Sequence, residues 1–484
     1  MDMTKKRITF GIVVSNRGFF NEQLALDSGK ELFRVLDILG YSYIAPEPDG
    51  SFHGIVSTLD DAKVCARVLR EHSDEIDGII VILPNFGDEQ SVVESINRSG
   101  LHVPVLVQAS NDEIDKVDVK SRRDAFCGKI SVCNNLYQYN IPFTDTTEHT
   151  TDISGADFKA DINRFAALCR VVTGLRHTRV GLIGTRPTAF QTVRFSEKLL
   201  QQAGITTVPV DLTDIHGIDS KLSDTDPDVS TKIAAMNAYG KIPASIKTDR
   251  ILKQAKFSVA VDKWCERNEI DTAAIQCWNS LEDNYGCAAC ITMSMLSEQK
   301  MPCACEADIA GAISMYALTL ASDQPAALLD WNNNYGHEKD LCVNTHCSNF
   351  PRSFMGTDIE ISNLDLLGET FGPENCFGAV KGHVSPGDMT FFRISTDDTH
   401  GCIKAYVGEG EFVDHPFPMD GGIAVCKVPD LRHLLRLICT NGFEHHVAMV
   451  RSHVAGIVYE AVTKYLGWKT YYHNASEEIE DIIM

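Results

Sequence analysis

Five side chains in the second half of the chain have the types that bind a hard divalent cation. Glu306 follows "MPCAC" and precedes the apolar stretch "ADIAGAISMYALTL". Asp330 closes the apolar run "QPAALL", His346 lies in "NTHCSNFP", and His445 and His446 form a pair in "NGFEHHVAMV". Carboxylate oxygens combined with imidazole nitrogens suit an ion of the Mn²⁺ type, because no soft thiolate is required. Each residue also has a plainer role open to it. Glu306 could favour the positive end of a helix. Asp330 could close a turn with Asn332 and Asn333, and the paired histidines could be ordinary, partly buried side chains. Spacing alone leaves both readings open.

Two other motifs point away from chemistry. Cys287 and Cys290 form a CxxC inside "YGCAACITMSMLSEQ", which reads as a buried helix with both thiols on one face, so core packing outweighs zinc or redox use. In "RVGLIGTR" only Gly181 and Gly184 of a dinucleotide fingerprint are present, which argues against a nucleotide-dependent enzyme.

The elements that must position these residues follow from periodicity. At about 100–200 residues per domain, 484 residues make two to four domains. Over residues 1–148, "ITFGIVVS", "YSYIAPE", "DGIIVILPNFG" and "VPVLVQAS" read as strands separated by amphipathic helices, the pattern of a parallel sheet covered on both faces. Residues 149–350 repeat it with "TRVGLIGTRPTAF", a helix "TAFQTVRFSEKLLQQAG", "ITTVPVDL" and "DTAAIQCWNS", and then carry the acids. Over 351–484, "GAVKGHVSPGDMTFFRIS", "HGCIKAYVGEGEFV" and "GGIAVCKV" are short β-like runs that suggest an antiparallel sheet or small barrel, followed by a helix "SHVAGIVYEAVTKYLG". A formal net charge of −22 repels nucleic acid and anionic membranes. No apolar window approaches the roughly 18 residues of a membrane span. "ITFGIVV" is too short for a signal peptide and lacks a cleavage site, so the 16 cysteines read as reduced thiols of a cytoplasmic protein.

The segments "CACEADIAGA", "DWNNNYG", "GHVSPGDMTFFRIS", "YVGEGE" and "EHHVAMV" stand in the order seen in the L-fucose isomerase/L-arabinose isomerase family. The chain resembles that family over most of its length, most closely from about residue 270 to 460. The resemblance implies an aldose–ketose isomerase, an intramolecular oxidoreductase working through a cis-enediol(ate) with Mn²⁺, or Mg²⁺ or Co²⁺ in its place. It implies Glu306 and Asp330 as metal-binding acids that also serve as acid/base groups, and His446 as the late histidine ligand. His445 is the fallback, and His346 resembles an additional histidine ligand of the arabinose branch. An aspartate as the second acid points to the fucose-type branch. The family's fold has two Rossmann-like parallel-sheet domains followed by a β-rich, barrel-like C-terminal domain. It assembles as homotrimers or homohexamers, with a neighbour's N-terminal domain closing each site.

The chemistry makes these residue types belong together. A metal held by adjacent sugar oxygens polarises the carbonyl, one carboxylate removes the carbon-bound proton, and the other manages the hydroxyl proton. Shared coordination keeps both acids ionised in apolar surroundings. Further candidates for substrate contact are Gln276 and Trp278 at a strand end, Trp331 and Asn333 beside Asp330, His383, and Arg17 and Asn21 in the first loop. Arg123 and Lys129 could reach a neighbour's site in the same way. The substrate is a monosaccharide: L-fucose- or D-arabinose-like by the resemblance, or, from the basic residue types among these candidates, an acidic, sulfonated or phosphorylated sugar. The competing reading is a non-catalytic sugar-binding protein with the same fold.

Overall fold

The alternating runs of the first third become one parallel sheet in the computed structural model, which describes residues 7–49 and 52–474. The strands are β1 (Thr9–Val14), β2 (Ser42–Ile44), β3 (Gly78–Leu83), β4 (Val105–Ala109) and β5 (Thr144–Asp145), in the order β2-β1-β3-β4-β5. β1, β3 and β4 are buried almost throughout, as strands of a parallel sheet covered on both faces are. The helix Ala156–Arg176 also packs here: a Cβ at Gly78 would meet Cys169 and Phe165. This sheet and its helices form one compact unit, residues 7–173 with 464–466.

The rest of the described chain forms the second unit. It contains a four-stranded parallel sheet, β7-β6-β8-β9, made of β6 (Arg179–Ile183), β7 (Thr206–Val210), β8 (Thr272–Ile275) and β9 (Cys303–Ala304). It also contains a ten-stranded, mostly antiparallel sheet. Its main path runs β10 (Ala326–Asp330), β18 (His446–Val450), β15 (Gly387–Asp397), β16 (Cys402–Phe412), β17 (Gly422–Lys427), β12 (Glu338–His346) and β11 (Asn333–Tyr335). β13 (Glu360–Asn363), β14 (Phe377–His383) and β19 (Lys469–His473) pair off this path. Among the described residues, no pairing of β10 with β11 closes the path. β10 to β12, which precede residue 350, are therefore strands of the β-rich sheet, β10 paired with β18, β12 with β17, and β11 with β12.

The helix Ile309–Ser322 lies against both sheets of this unit and is buried on every side from Ile309 to Ala321. That is why its sequence shows no polar face. Two expected helices are shorter in the structure. Residues 188–195 form a loop with one 3-10 turn, Gln191–Val193, and the helix begins only at Glu197. Pro187 and the β-branched Thr188, Thr192 and Val193 work against helix there. Likewise Cys287 precedes the helix Cys290–Glu298, because Gly286 takes a left-handed conformation at φ 83°. Both thiols are nonetheless buried in the core. Among the described residues no helix is long and apolar enough to cross a membrane.

Candidate functional site

Glu306 leaves the end of β9 on two consecutive left-handed residues, itself at φ 60° and Ala307 at φ 58°. Non-glycine residues rarely adopt this conformation, and when they do it costs of order 1–3 kcal/mol each. The helix cap expected of Glu306 is made by Asp308, whose Oδ1 accepts from the Gly311 amide at 2.9 Å. Gly311 is required for that contact, since a Cβ there would stand 2.5 Å from Asp308 Oδ2. Glu306 is thus released from helix duty. Its Oε1 accepts from the Trp278 indole at 2.8 Å, and its Oε2 has no hydrogen-bond partner.

Asp330 and His446 face each other as register partners across antiparallel β10 and β18. Because strand side chains alternate between faces, this register puts His446, not His445, on the buried side. His446 is fully buried, whereas the His445 side chain is 42 % exposed. The two ring nitrogens of His446 have different tasks. Nδ1 donates to Asp308 Oδ2 at 2.8 Å, so the Nε2 lone pair points away from it. Nε2 stands 2.9 Å from Glu306 Oε2 and 3.5 Å from Asp330 Oδ1. A carboxylate fixing the tautomer of a ligating histidine is the usual support of a metal site.

Glu306 Oε2, Asp330 Oδ1 and His446 Nε2 are all buried without hydrogen-bond partners. Orphaned buried polar atoms cost of order 1–3 kcal/mol each. Adjacent donors of an octahedral ion with bonds of about 2.1 Å stand about 3 Å apart, which the Glu306–His446 separation matches. Donor atoms of Glu306, His346 and His446 lie within 4.8 Å of one another, as do those of Asp330, His445 and His446, so the two groups share His446 and offer the oxygen and nitrogen donors that suit a hard cation.

His346, at the end of β12, also joins the cluster, with Nε2 3.9 Å from Glu306 Oε2 and 4.0 Å from Asp330 Oδ1. Its Nδ1 accepts from the Cys347 amide at 2.8 Å. That bond puts the proton of the neutral ring on Nε2, which suits a donor to the acids or to a ligand better than a metal-binding lone pair. His445 Nε2 is 3.7 Å from Asp330 Oδ1, on the exposed side.

A buried ionic network supports these groups. Arg393 is fully buried on β15 and donates through two nitrogens to Asp308 and through Nε to Glu444 at 3.2 Å. Ser395 completes Glu444 at 2.8 Å. Burial alone would raise the Asp308 carboxyl, but Arg393 and His446 hold it well below the usual range. Burial likewise opposes a charge on His446, but its bond to Asp308 and the adjacent Glu306 carboxylate outweigh this and lift it to about 9. The site's field thus favours a positive charge at Nε2. Sequence reasoning passed over Asp308 and Arg393. The one signal was a lone arginine inside the apolar "TFFRIS".

The other candidates divide. Trp278 reaches Glu306 as described, but the Gln276 Oε1 accepts from the Thr185 amide at 2.9 Å and holds the loop after β6. That loop carries Phe190, unremarked in the sequence, whose ring stands 5.8, 5.5 and 5.6 Å from those of Trp278, His445 and His446. Trp331 donates to the Tyr406 hydroxyl at 3.0 Å and packs on the core, while Asn333 is exposed on β11 and His383 is exposed on β14. Arg17 and Asn21 belong to the other unit. Arg17 bonds Gly87 and Asn85 and pairs with Glu89, and Asn21 caps the helix Glu22–Leu39. In that unit Arg123 bonds the Pro84 carbonyl, and Lys129 is buried against Thr146 and Asp145.

A cleft of about 890 Å³ opens beside Ala307 and Glu444 and is lined by Arg186, Arg194, Lys404 and Asp397. Lys404 is paired with Asp397, and Glu444 with Arg393. Arg186 and Arg194 bond, among the described residues, backbone carbonyls of their own loop, and Asp398 lines the same cleft.

Two family models match the chain. The N-terminal domain of fucose/sulfoquinovose isomerase matches residues 11–176, and the C-terminal domain of L-fucose isomerase matches residues 344–473. The sulfoquinovose isomerase of Priestia megaterium is 24% identical over 382 residues, covering 78% of this chain and 81% of that protein. That of Alkalicoccus urumqiensis is 24% identical over 397 residues, covering 80% and 84%. Among solved structures, a periplasmic solute binding protein from Actinobacillus succinogenes with bound D-allose aligns over 66% of this chain and 93% of its own. Its 11% identity and TM-score of 0.16 carry no structural argument.

Proposed function

This chain belongs to the fucose/sulfoquinovose isomerase family and is an aldose–ketose isomerase, and on that premise we propose that it converts a 6-sulfonated aldohexose into its ketose at a divalent-metal site formed by Glu306, Asp330 and His446. The observation that carries the site is the convergence of three buried donors without hydrogen-bond partners. The sulfonated substrate is supported by the relatives' activity, and by Arg186 and Arg194 in the adjoining cleft of a strongly acidic chain.

In this reading Mn²⁺, with Mg²⁺ or Co²⁺ as substitutes, supplies Lewis acidity toward the substrate carbonyl. Glu306 and Asp330 carry the protons: one carboxylate takes the carbon-bound proton and returns it to the neighbouring carbon, while the other serves the hydroxyl. Trp278 fixes Glu306 by its Oε1 and leaves Oε2 for this work. The Nε2–H of His346 donates to a substrate oxygen, and Phe190 with Trp278 excludes water from one side of the site. Assembly as a homotrimer or homohexamer in the cytoplasm completes the reading.

The test is isomerisation by chelator-stripped protein offered sulfoquinovose, L-fucose, D-arabinose and L-arabinose, with and without Mn²⁺. Ketose formation from sulfoquinovose should depend on added metal and exceed that from the neutral sugars. Turnover that survives complete metal removal, or a clear preference for a neutral sugar, refutes the corresponding half of the proposal.

A further inference from the structure

Next to the hard donors stands a separate cluster of soft ones. Cys277 follows β8, Cys305 ends the segment after β9, and Cys347 follows β12. Cys305 Sγ is 2.8 Å from Cys277 Sγ and 3.8 Å from Cys347 Sγ, and the three sulfurs all lie within 4.8 Å of one another. Cys277 and Cys305 are buried, and Cys347 is a partly exposed residue. The backbone of Cys347 is held by the Cys290 thiol, which donates to its carbonyl at 2.8 Å. A second observation stands beside the geometry. Glu282, in the turn after β8, is 1 % exposed, and neither of its carboxylate oxygens has a hydrogen-bond partner.

We propose that Cys277, Cys305 and Cys347 form a second metal site, selective for a thiophilic d¹⁰ cation such as Zn²⁺ or Cd²⁺. With metal–sulfur bonds of about 2.3 Å, a tetrahedral ion holds its thiolates about 3.8 Å apart. The Cys305–Cys347 edge already has that length, and Cys277 must turn outward by about 1 Å to complete the face. Binding is a Lewis acid–base step. Each sulfur gives its proton to solvent and its lone pair to the cation, and no electron is transferred. The two sites then sort cations by softness, oxygen and nitrogen for one and sulfur for the other. The thiol site rests on its own sulfurs and not on the isomerase reading.

The experiment is a Cd²⁺ titration of the full chain, fully reduced, chelator-stripped and then saturated with Mn²⁺, following the ultraviolet thiolate-to-cadmium charge-transfer band. The band should saturate at about one equivalent. Cys347→Ser, a change at the partly exposed residue, and Cys305→Ser should each weaken binding at least tenfold. Cys439→Ser, an exposed thiol outside the cluster, should leave the titration unchanged. No band in the wild-type protein overturns the site. So does a band that persists at full affinity in Cys347→Ser, or one that is lost in Cys439→Ser.

Discussion

Metal affinity should depend steeply on pH, through His446. In the metal-free protein its imidazole is lifted to about 9, well above the ordinary 6.5, because its bond to Asp308 and the adjacent Glu306 carboxylate outweigh the effect of burial. A cation binding at Nε2 must displace that proton. Below about pH 9 each unit of acidification therefore weakens binding about tenfold, or about 1.4 kcal/mol. Between pH 8 and pH 6 the Kd for Mn²⁺ should rise about a hundredfold, about 2.7 kcal/mol, and the dependence should level off above about pH 9. Free Mn²⁺ is read directly by electron paramagnetic resonance, so the titration can be run on the stripped protein at several pH values without any substrate. His446→Gln should abolish tight binding. His346→Gln should leave both the affinity and its slope nearly intact, because the His346 Nδ1 accepts a backbone bond and its Nε2 keeps the proton. An affinity independent of pH from 6 to 8, or a slope that vanishes in His346→Gln, would refute the tautomer assignment and exchange the roles of the two histidines.

Glu306→Gln and Asp330→Asn should each lower isomerisation by about a thousandfold or more with unchanged circular dichroism, and near-normal turnover in either would remove that residue from the chemistry. Arg186→Ala and Arg194→Ala should raise KM at least tenfold for a sulfonated sugar and leave a neutral sugar's KM alone; equal effects on both would deny an anion-binding role. Glu282, pushed up to about 8 by burial, is held neutral in the folded chain while it ionises freely from about 4.5 when unfolded. Its contribution to stability is therefore full below about pH 4.5 and is lost as pH rises toward 8, a loss of about 3 kcal/mol by pH 7. Urea denaturation should show Glu282→Gln more stable than wild type at pH 7 and less sensitive to pH between 5 and 8, and an unchanged profile would show that Glu282 is solvated.

That the two acids and the histidines of the second half gather was legible because their residue types are unusual in apolar runs and stand in a family order. The choice between His445 and His446 was not legible, since a doubled histidine offers two registers and only the pairing of β10 with β18 selects one. Asp308 was overlooked because an acid before a helix has an ordinary explanation, and here it performs that cap while also fixing an imidazole and an arginine. Trp331 looked like a substrate platform from its position beside Asp330, but strand alternation turns it toward Tyr406 and the core. Phe190 was hidden by a helical reading of residues 188–195. Pro187 and the left-handed Gly184, where a Cβ would press on Gln276, favour a loop instead. The parallel sheets were readable from strand–helix alternation, whereas the capture of β10 to β12 by the antiparallel sheet depends on partners far along the chain that no local pattern reveals.

The origin of the three donors also bears on how the chain reaches its native state. Glu306 is delivered by the parallel sheet, and Asp330 and His446 by neighbouring strands of the antiparallel one, from chain positions as distant as 306 and 446. No segment translated on its own can assemble the triad, so cation capture is expected late in folding, after long-range loop closure is complete. Once the ion is held, mass action resists reopening, with a hundredfold excess over Kd adding about 2.7 kcal/mol. On the proposed metal site, metal supply would set the lifetime of the newly made chain as well as its turnover, because the metal-free chain opens more often and is the form exposed to proteolysis.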